Sequence, residues 1–155
     1  MKTLTIRRYE KRDLQEVKTL HRIALESTGA YLESGKWDRD LDKIEDVYIN
    51  PGGEFIVGLM NGKIITMGAL KKISDDTAEL KRMRVHPKFQ KQGLGQKILD
   101  ELHKIAHQKG FKKIFLNTSV KQVAAQRFYQ KNGYKEVRRE TKDWPLEVIF
   151  YEKSL

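Results

Sequence analysis

The sequence contains no cysteine, and this absence excludes several chemistries at once. Disulfide bonds, thiolate metal sites and a cysteine nucleophile all require the missing side chain. Long apolar runs are absent too, because no stretch approaches the roughly 20 residues that a membrane-spanning helix needs. Residues 1–8 also lack the apolar run of a signal peptide. We therefore expect a cytoplasmic protein that makes no membrane contact.

A basic tail is missing as well, although the chain is strongly basic. The formal net charge of +10 would attract polyanions, and nucleic acid is the first candidate. However, the 31 basic residues run from Lys2 to Lys153, are interleaved with 21 acidic residues and form no recognisable nucleic-acid motif. We therefore expect no specific nucleic-acid binding.

Length and patterning indicate one domain over residues 1–155. The chain is 39% hydrophobic and contains no repeat, linker or low-complexity segment. Predicted strands cover residues 4–9, 55–60, 63–70, 77–85, 114–118, 135–138 and 148–152. Predicted helices start after Asp13, cover residues 38–48, run from Leu94 to Gly110, and cover residues 124–132 before Gly133. Loops are predicted at residues 29–36 and around Trp144-Pro145, and Asn61-Gly62 predicts a hairpin.

The order of these elements is β-α-α-β-β-β-α-β-α-β-β, which predicts a mixed α/β sheet flanked by helices. The strand at residues 77–85 changes phase, because apolar residues alternate at Ala78 and Leu80 and again, one residue out of step, at Met83 and Val85. Such a change is typical of a β-bulge, which leaves one residue unpaired and redirects the side chains beyond it. A strand buried on both faces, or an amphipathic edge strand, is the alternative.

Residues 90–95, Q-K-Q-G-L-G, separate this strand from a predicted helix, and we call them the Gly loop. The N–H groups at a helix N-terminus have no intrahelical acceptor, so the position predicts an anion site. A dinucleotide fingerprint would need glycine where Ile98 stands, and a P-loop would need Gly-Lys-Ser/Thr, which is absent. A plain surface turn is the remaining alternative.

The Gly loop resembles the acetyl-coenzyme A (acetyl-CoA) signature Q/R-x-x-G-x-G/A of the GNAT superfamily of N-acetyltransferases. Gln90, Gly93 and Gly95 fill its defining positions, a hydrophobic strand precedes it, and Tyr129 stands before the pair Gly133-Tyr134. The resemblance implies the GNAT fold, with acetyl-CoA as donor substrate and a primary amine as acceptor. It also implies direct attack of the amine on the thioester in a ternary complex, which fits the absence of cysteine.

By the same resemblance, the cofactor site lies on and around the Gly loop. The amides of residues 92–96 would hold the pyrophosphate, and residues 83–85 would pair with the pantetheine arm. Many relatives carry asparagine seven residues before the tyrosine, whereas this chain has Gln122, so that contact departs from the family pattern. The complete expected set is Met83, Arg84, Val85, Gln90, Lys91, Gln92, Gly93, Leu94, Gly95, Gln96, Asn117, Gln122 and Tyr129.

The resemblance also assigns three catalytic groups. The Met83 N–H would stabilise the oxyanion, Glu79 would act as general base through water, and Tyr129 would protonate the departing thiolate. The alternative for Glu79 is a surface acid paired with Lys81 or a cross-strand cation. The alternative for Tyr129 is a core aromatic residue.

A metal site is not expected. His103 and His107 have the spacing of zinc ligands, but Lys104 stands where a zinc protease has glutamate. Both histidines are predicted to face solvent, away from the apolar stripe of their helix. His21 and His86 have no partner that the sequence identifies.

Two other functional classes stay open at this point. A domain with the same fold could sense acyl-CoA without turnover, although the presence of Glu79 and Tyr129 favours catalysis. A basic nucleic-acid-binding domain would show salt-sensitive binding and no thiol release. The acceptor is not identifiable, because the loops that would contact it carry no transferable motif. Small amines, amino acids, antibiotics and protein lysines all stay open, as does homodimer formation.

Overall fold

The computed structural model describes residues 3–28, 38–141 and 147–155. The strands are β1 Thr5–Arg8, β2 Glu54–Met60, β3 Lys63–Lys72, β4 Thr77–Val85, β5 Lys113–Ser119, β6 Lys135–Glu140 and β7 Val148–Ser154. The α-helices are α1 Leu14–Glu26, α2 Leu94–Gln108 and α3 Val123–Lys131. The loops predicted at residues 29–36 and around Trp144-Pro145 lie outside the described residues.

The described strands form one mixed seven-stranded sheet in the order β1-β2-β3-β4-β5-β7-β6. Strands β4 and β5, which α2 connects, run parallel, whereas the other neighbouring pairs are antiparallel. The parallel pairing joins residues 77–79 to residues 113–115 and ends there. Because β4 and β5 each continue beyond this short pairing, the two strands separate and a cleft opens within the sheet.

Helices cover both faces of the sheet and create two hydrophobic cores. On one face α2 and α3 pack against the centre of the sheet, burying among others Ile98, Leu99, Leu102, Tyr129, Leu80 and Ile114. On the opposite face α1 packs against β3 and β4, and the core on this face buries among others Val17, Leu20, Phe55, Val57 and Met67. Strands β2 and β3 contribute buried side chains to both cores, because alternate residues of a strand point to opposite faces of the sheet. None of the helices in the described part of the chain is long and apolar enough to cross a membrane.

Turn chemistry predicted several boundaries correctly. Asn61 and Gly62 join β2 to β3 with φ of 53° and 76°, and both positive values are what a tight hairpin turn of this type requires. Gly110 and Gly133, which follow α2 and α3, have φ of 83° and 88°. These left-handed conformations end the two helices where glycine predicted an end.

The prediction of a helix over residues 38–48 is wrong. The structure has a 3₁₀ turn at Arg39–Asp42 and a π-helical turn at Glu45–Ile49 instead. Leu41, Ile44 and Tyr48 are buried, as the apolar spacing indicated. Asp38 and Asp40 pair with Arg82 on β4. These ion pairs tie the start of the segment to β4, and local periodicity gives no indication of them.

The capping role predicted for Asp13 also needs correction. Asp13 precedes α1, but its carboxylate accepts hydrogen bonds from Arg7 at 2.7 Å and from the Glu10 N–H at 2.8 Å. It makes no side-chain bond to an N–H of α1. Asp13 therefore closes the short 3₁₀ turn at Lys11–Asp13 and ties it to β1.

The β-bulge predicted in β4 is confirmed. Met67 pairs with Arg84 and Ala69 with Lys81, so two residues of β4, Arg82 and Met83, stand opposite one residue of β3. Arg82 has a φ of 59°, which is uncommon for a residue with a Cβ. The residue opposite is Gly68, where an added Cβ would lie 2.6 Å from the Met83 sulfur and 2.7 Å from Ile98. The glycine leaves the room that the bulge occupies.

Candidate functional site

A cleft of about 1010 Å³ lies where β4 and β5 separate. Its walls are the diverging halves of these strands, the Gly loop with the start of α2, most of α3, the start of β7, and the C-terminal end of α1. Beyond Glu79 and Phe115 the two strands no longer pair with each other, so the edge of each strand that faces the cleft has unpaired backbone groups, while β4 still pairs with β3 and β5 with β7. Helices from both faces of the sheet border the cleft, with α1 on one face and α2 and α3 on the other.

The Gly loop closes one end of the cleft and turns sharply into α2. Lys91 and Gly93 have φ of 62° and 78°, so the loop contains two left-handed residues before the helix starts at Leu94. The Lys97 N–H donates to the Gly93 carbonyl at 3.1 Å, and the N–H groups before it have no acceptor within the helix. These free amides and the positive end of the helix dipole are the features on which the predicted anion site depends.

Gly95 has no side chain to occupy the space beside the N-terminus of α2. A Cβ built there would lie 3.5 Å from Val85 and 3.9 Å from Phe128, which are ordinary contact distances. The protein itself would therefore accept a small side chain at this position. The glycine is needed only if another molecule approaches the backbone closely.

The structure brings the predicted cofactor residues together with one exception. Gln92 does not line the cleft, so only its backbone N–H is a candidate contact. The Gln122 side chain accepts a hydrogen bond from Thr118, and the Gln90 amide donates to the Val85 carbonyl at 3.5 Å. The predicted residues that line the cleft are Met83, Arg84, Val85, Gln90, Lys91, Gly93, Leu94, Gly95, Gln96, Asn117, Gln122 and Tyr129.

Tyr129 lies on α3 in the cleft wall and is 8% exposed. Its ring packs edge-on against Phe128 and Tyr134, with centroids 5.3 Å and 5.6 Å away. Burial raises the pKa of Tyr129 to about 12, and the nearby charge of Arg84 opposes that shift. Among the described residues, no group hydrogen-bonds to its hydroxyl. A buried hydroxyl without a partner is uncommon and calls for a ligand or water in the cleft.

Glu79 lies at the point where β4 and β5 part. It is the last residue of β4 that pairs with β5, and its carboxylate accepts a hydrogen bond from Asn117 on β5 at 3.4 Å. Within the described part of the chain, Glu79 forms no salt bridge with Lys81 or with Lys71, its cross-strand neighbour on β3. The half-buried carboxylate therefore faces the cleft as an available acceptor.

Sequence reasoning missed a polar cluster on the α1 side of the bulge. The Arg82 guanidinium donates to Asp40 at 2.9 Å and to Asp38 at 3.4 Å, and Asp40 also accepts from the buried Tyr48 hydroxyl. Hydrogen bonding to Arg82 and its charge lower the pKa of Asp40 against the opposing effect of burial. The charged residue at the phase change of β4 was the one sequence feature that could have indicated this cluster.

His21, for which the sequence identified no partner, links Arg84 to this cluster. The Arg84 Nε–H donates to His21 Nδ1 at 3.3 Å, and His21 Nε2 lies 3.0 Å from the Asp38 carboxylate. Because Nδ1 accepts, the proton sits on Nε2 and the imidazole is neutral. Burial, with Arg84 and Arg82 adding to it, lowers the pKa of His21.

The histidines on α2 differ in part from their prediction. His103 was expected to face solvent, but it is half-buried and its Nε2 lies 2.8 Å from the Tyr134 hydroxyl. Burial lowers the pKa of His103. His107 is exposed, as predicted. No group of three or more histidine and carboxylate side chains with metal-site geometry occurs in residues 3–28, 38–141 and 147–155.

Comparison with known proteins identifies this arrangement. Residues 16–134 match the profile of the Acetyltransferase (GNAT) family. Among curated proteins, the N-acetylaspartate synthetase of Danio rerio is 28% identical over an alignment of 123 residues that covers 73% of this chain and 43% of that protein. The chain thus spans less than half the length of this relative.

Two solved structures illustrate the structural similarity. An acetyltransferase from Streptococcus agalactiae has a TM-score of 0.88 and 27% identity, with 98% of each chain covered. The PaiA N-acetyltransferase from Thermoplasma acidophilum, solved in complex with coenzyme A, has a TM-score of 0.78 and 23% identity, with 99% of each chain covered. The mixed sheet, the parted strands and the Gly loop therefore occur in a fold shared with these proteins.

Proposed function

Because the chain belongs to the GNAT acetyltransferase family, we propose that it transfers an acetyl group from acetyl-CoA to a primary amine. The reaction is a direct attack within a ternary complex. The relatives in the family that carry coenzyme A support acetyl-CoA as the donor. Residues 1–155 act as one catalytic domain in the cytoplasm, without a metal.

Acetyl-CoA binds along the Gly-loop end of the cleft. The N–H groups of residues 92–96 hold the pyrophosphate at the start of α2. The pantetheine arm adds to the exposed edge of β4 at residues 83–85, and Asn117 and Gln122 contact it from the opposite wall. Many small contacts share the binding energy, since one charge at a helix terminus contributes about 0.3–1 kcal/mol and micromolar affinity requires about 8 kcal/mol.

The chemistry takes place at the bulge. The amine loses a proton to Glu79 through water and attacks the thioester carbonyl, and the Met83 N–H stabilises the negative charge that develops on the carbonyl oxygen. The C–S bond then breaks, and the departing thiolate takes the proton of the Tyr129 hydroxyl. No bond forms between the acetyl group and the protein, so no acyl-enzyme accumulates.

One observation carries this proposal. The Tyr129 hydroxyl is buried in the cleft wall without a hydrogen-bond partner among the described residues, in the same cleft as the unpaired bulge residue Met83. A purely structural tyrosine would normally bury its ring and satisfy its hydroxyl. Burial also keeps the phenol protonated at neutral pH, as a proton donor requires.

Release of free thiol tests the proposal. The protein is incubated with acetyl-CoA and a panel of small amines, amino acids, aminoglycosides and lysine peptides, and thiol is measured beside the mass of each product. We expect thiol and acetylated amine in equal amounts for at least one acceptor. Binding of acetyl-CoA without thiol release from any acceptor would favour an acyl-CoA sensor over an enzyme.

A further inference from the structure

Consecutive side chains at residues 83–85, the end of β4, point to opposite faces of the sheet. Met83 and Val85 point toward α2, since the Met83 sulfur lies near Ile98 and Val85 packs near Gly95. Arg84 stands between them and points toward α1, where it contacts His21. The Arg84 side chain therefore lies on the face opposite the Gly loop, away from the expected pyrophosphate position.

The two arginines of the bulge differ in their partners. Arg82 pairs with the carboxylates of Asp38 and Asp40. Arg84 donates to the neutral His21 ring at 3.3 Å and to the Met83 carbonyl at 2.7 Å. In the part of the chain that the structure describes, no carboxylate forms an ion pair with Arg84. The Nη2 atom of Arg84 makes no hydrogen bond to any of these residues. Arg84, a half-buried residue of the cleft lining, thus has no carboxylate in direct contact within the described ranges, and Asp38 acts on its charge only through His21 and at a distance.

The position of this charge fits the acceptor rather than the donor. The Arg84 guanidinium is hydrogen-bonded to the main chain of Met83, the residue whose N–H faces the thioester in the proposed mechanism. Its charge also acts on Tyr129 across the cleft, where it lowers the pKa of that hydroxyl against burial. A group bound to Arg84 therefore lies beside the proposed reaction centre and on the α1 face, opposite the Gly loop that is proposed to hold the donor.

We propose that Arg84 binds a carboxylate of the acceptor, so that the preferred acceptor is an amine that also carries a carboxylate, such as an α-amino acid. This inference rests on the proposed function. A guanidinium and a carboxylate can form a charge-assisted pair with two parallel hydrogen bonds. In Arg84, one N–H of Nη2 and the second N–H of Nη1 are the two donors available for such a pair. Asp38 holds the His21 tautomer whose Nδ1 accepts from Arg84, which fixes the direction of the guanidinium.

Matched pairs of amines test the proposal with the unmodified protein. Each common L-α-amino acid is compared with its α-carboxamide and with its decarboxylated amine, and kcat/KM is expressed per concentration of free amine. We expect the carboxylate form of the best acceptor to exceed its two partners by at least about 10-fold, the scale of a hydrogen-bonded charge.

Substitution of Arg84 then separates recognition from structure. Arg84→Gln should lower the ratio of kcat/KM for the carboxylate acceptor to kcat/KM for its decarboxylated amine by roughly 10- to 10²-fold, whatever its effect on acetyl-CoA binding, which both reactions share. Arg84→Lys keeps the charge and should recover part of the lost selectivity. Arg22→Gln, which removes an exposed guanidinium from α1, is the control and should leave the selectivity ratio unchanged.

The outcomes distinguish this inference from the proposed function. If the protein acetylates amines without a carboxylate at least as well as their carboxylate partners, Arg84 does not select the acceptor, while acetyl transfer still stands. If Arg84→Gln slows both members of a pair equally, Arg84 has a structural role only and the inference is wrong. If acetyl-CoA binds and none of the amines releases thiol, the proposed function fails and the inference fails with it.

Discussion

At the scale of single residues, Tyr129 and Glu79 occupy the cleft as the family pattern implied, but their surroundings follow from the fold. The spacing of Tyr129 before Gly133-Tyr134 could be read from the sequence, whereas its unpartnered hydroxyl could not. Likewise, nothing local to Glu79 shows that Asn117 lies across from it. The partners of Arg84 are 63 positions and one position away, and only the sheet and α1 bring His21 to it.

Substitution of Tyr129 by phenylalanine tests the general acid. Tyr129→Phe removes the proton donor and keeps the packed ring, so we expect turnover to fall by roughly 10²-fold or more while acetyl-CoA affinity changes little. Because burial raises the pKa of Tyr129 to about 12, the wild-type rate should show no loss from tyrosine ionisation between neutral pH and about pH 11. A variant that matches the wild-type rate, with chemistry rate-limiting, would make Tyr129 structural.

Glu79→Gln tests the general base. The amine acceptor is mostly protonated at neutral pH, so removal of the base should lower kcat/KM more at neutral pH than at high pH, where free amine is abundant. A general base contributes about 10²- to 10⁴-fold, and an ordered water that shares the task would reduce the loss. The measurement is kcat/KM against pH for both proteins. Superimposable profiles would leave Glu79 as an ordinary strand residue, with the amine deprotonated by solvent.

At the scale of elements, the strands and the three α-helices were predictable because each has a strong local period and a clear end. The phase change in β4 also predicted the bulge, because Leu80 and Met83 are three residues apart and so break the two-residue period of the strand. The turns at Arg39–Asp42 and Glu45–Ile49 were not predictable, because the contacts of this segment include ion pairs of Asp38 and Asp40 with Arg82 on a distant strand, which local sequence does not show. The spacing of apolar residues indicates which side chains are buried, but it does not distinguish an α-helix from 3₁₀ and π-helical turns.

Gly95 provides the sharpest test at the element scale. A Cβ at this position meets the protein at ordinary contact distances, so Gly95→Ala and Gly95→Asp should both fold. We expect Gly95→Asp to abolish acetyl-CoA binding, because a side chain and a negative charge enter the phosphate site. Gly95→Ala, the matched control for backbone flexibility, should weaken binding less. Calorimetric titration of acetyl-CoA measures both, and unchanged affinity in the folded Gly95→Asp variant would rule out this binding site.

At the scale of the whole molecule, the separation of β4 and β5 creates the cleft in which we place the active site. The chain has a net charge of +10, and its cleft is proposed to bind acetyl-CoA, which is a polyanion. The positive charge can therefore attract acetyl-CoA and does not by itself indicate nucleic-acid binding. The sequence predicted this fold from its element order, but the cleft itself depends on the end of pairing at Glu79 and Phe115. That end has no local sequence marker, because it reflects how two strands diverge in space.

The stability of the whole molecule should depend on His21 near neutral pH. Burial lowers the pKa of His21 in the folded protein, while the unfolded chain has a histidine pKa of about 6.5. The unfolded state therefore binds more protons, and the stability is lost as the pH falls below about 6.5, by up to about 1.4 kcal/mol per pH unit for one histidine. His21→Gln should flatten the unfolding free energy between pH 7 and pH 5.5 in denaturant titrations. Parallel curves for the two proteins would show that His21 does not titrate on unfolding.

The central claim is that one cleft brings acetyl-CoA and an amine together for direct transfer. The most direct measurement is the initial rate of thiol release with the concentrations of acetyl-CoA and of the best amine varied together. The account predicts that release requires the amine and that the double-reciprocal lines intersect, as they do for a ternary complex. Parallel lines, which indicate a covalent acetyl-enzyme, or release that does not depend on the amine would contradict it.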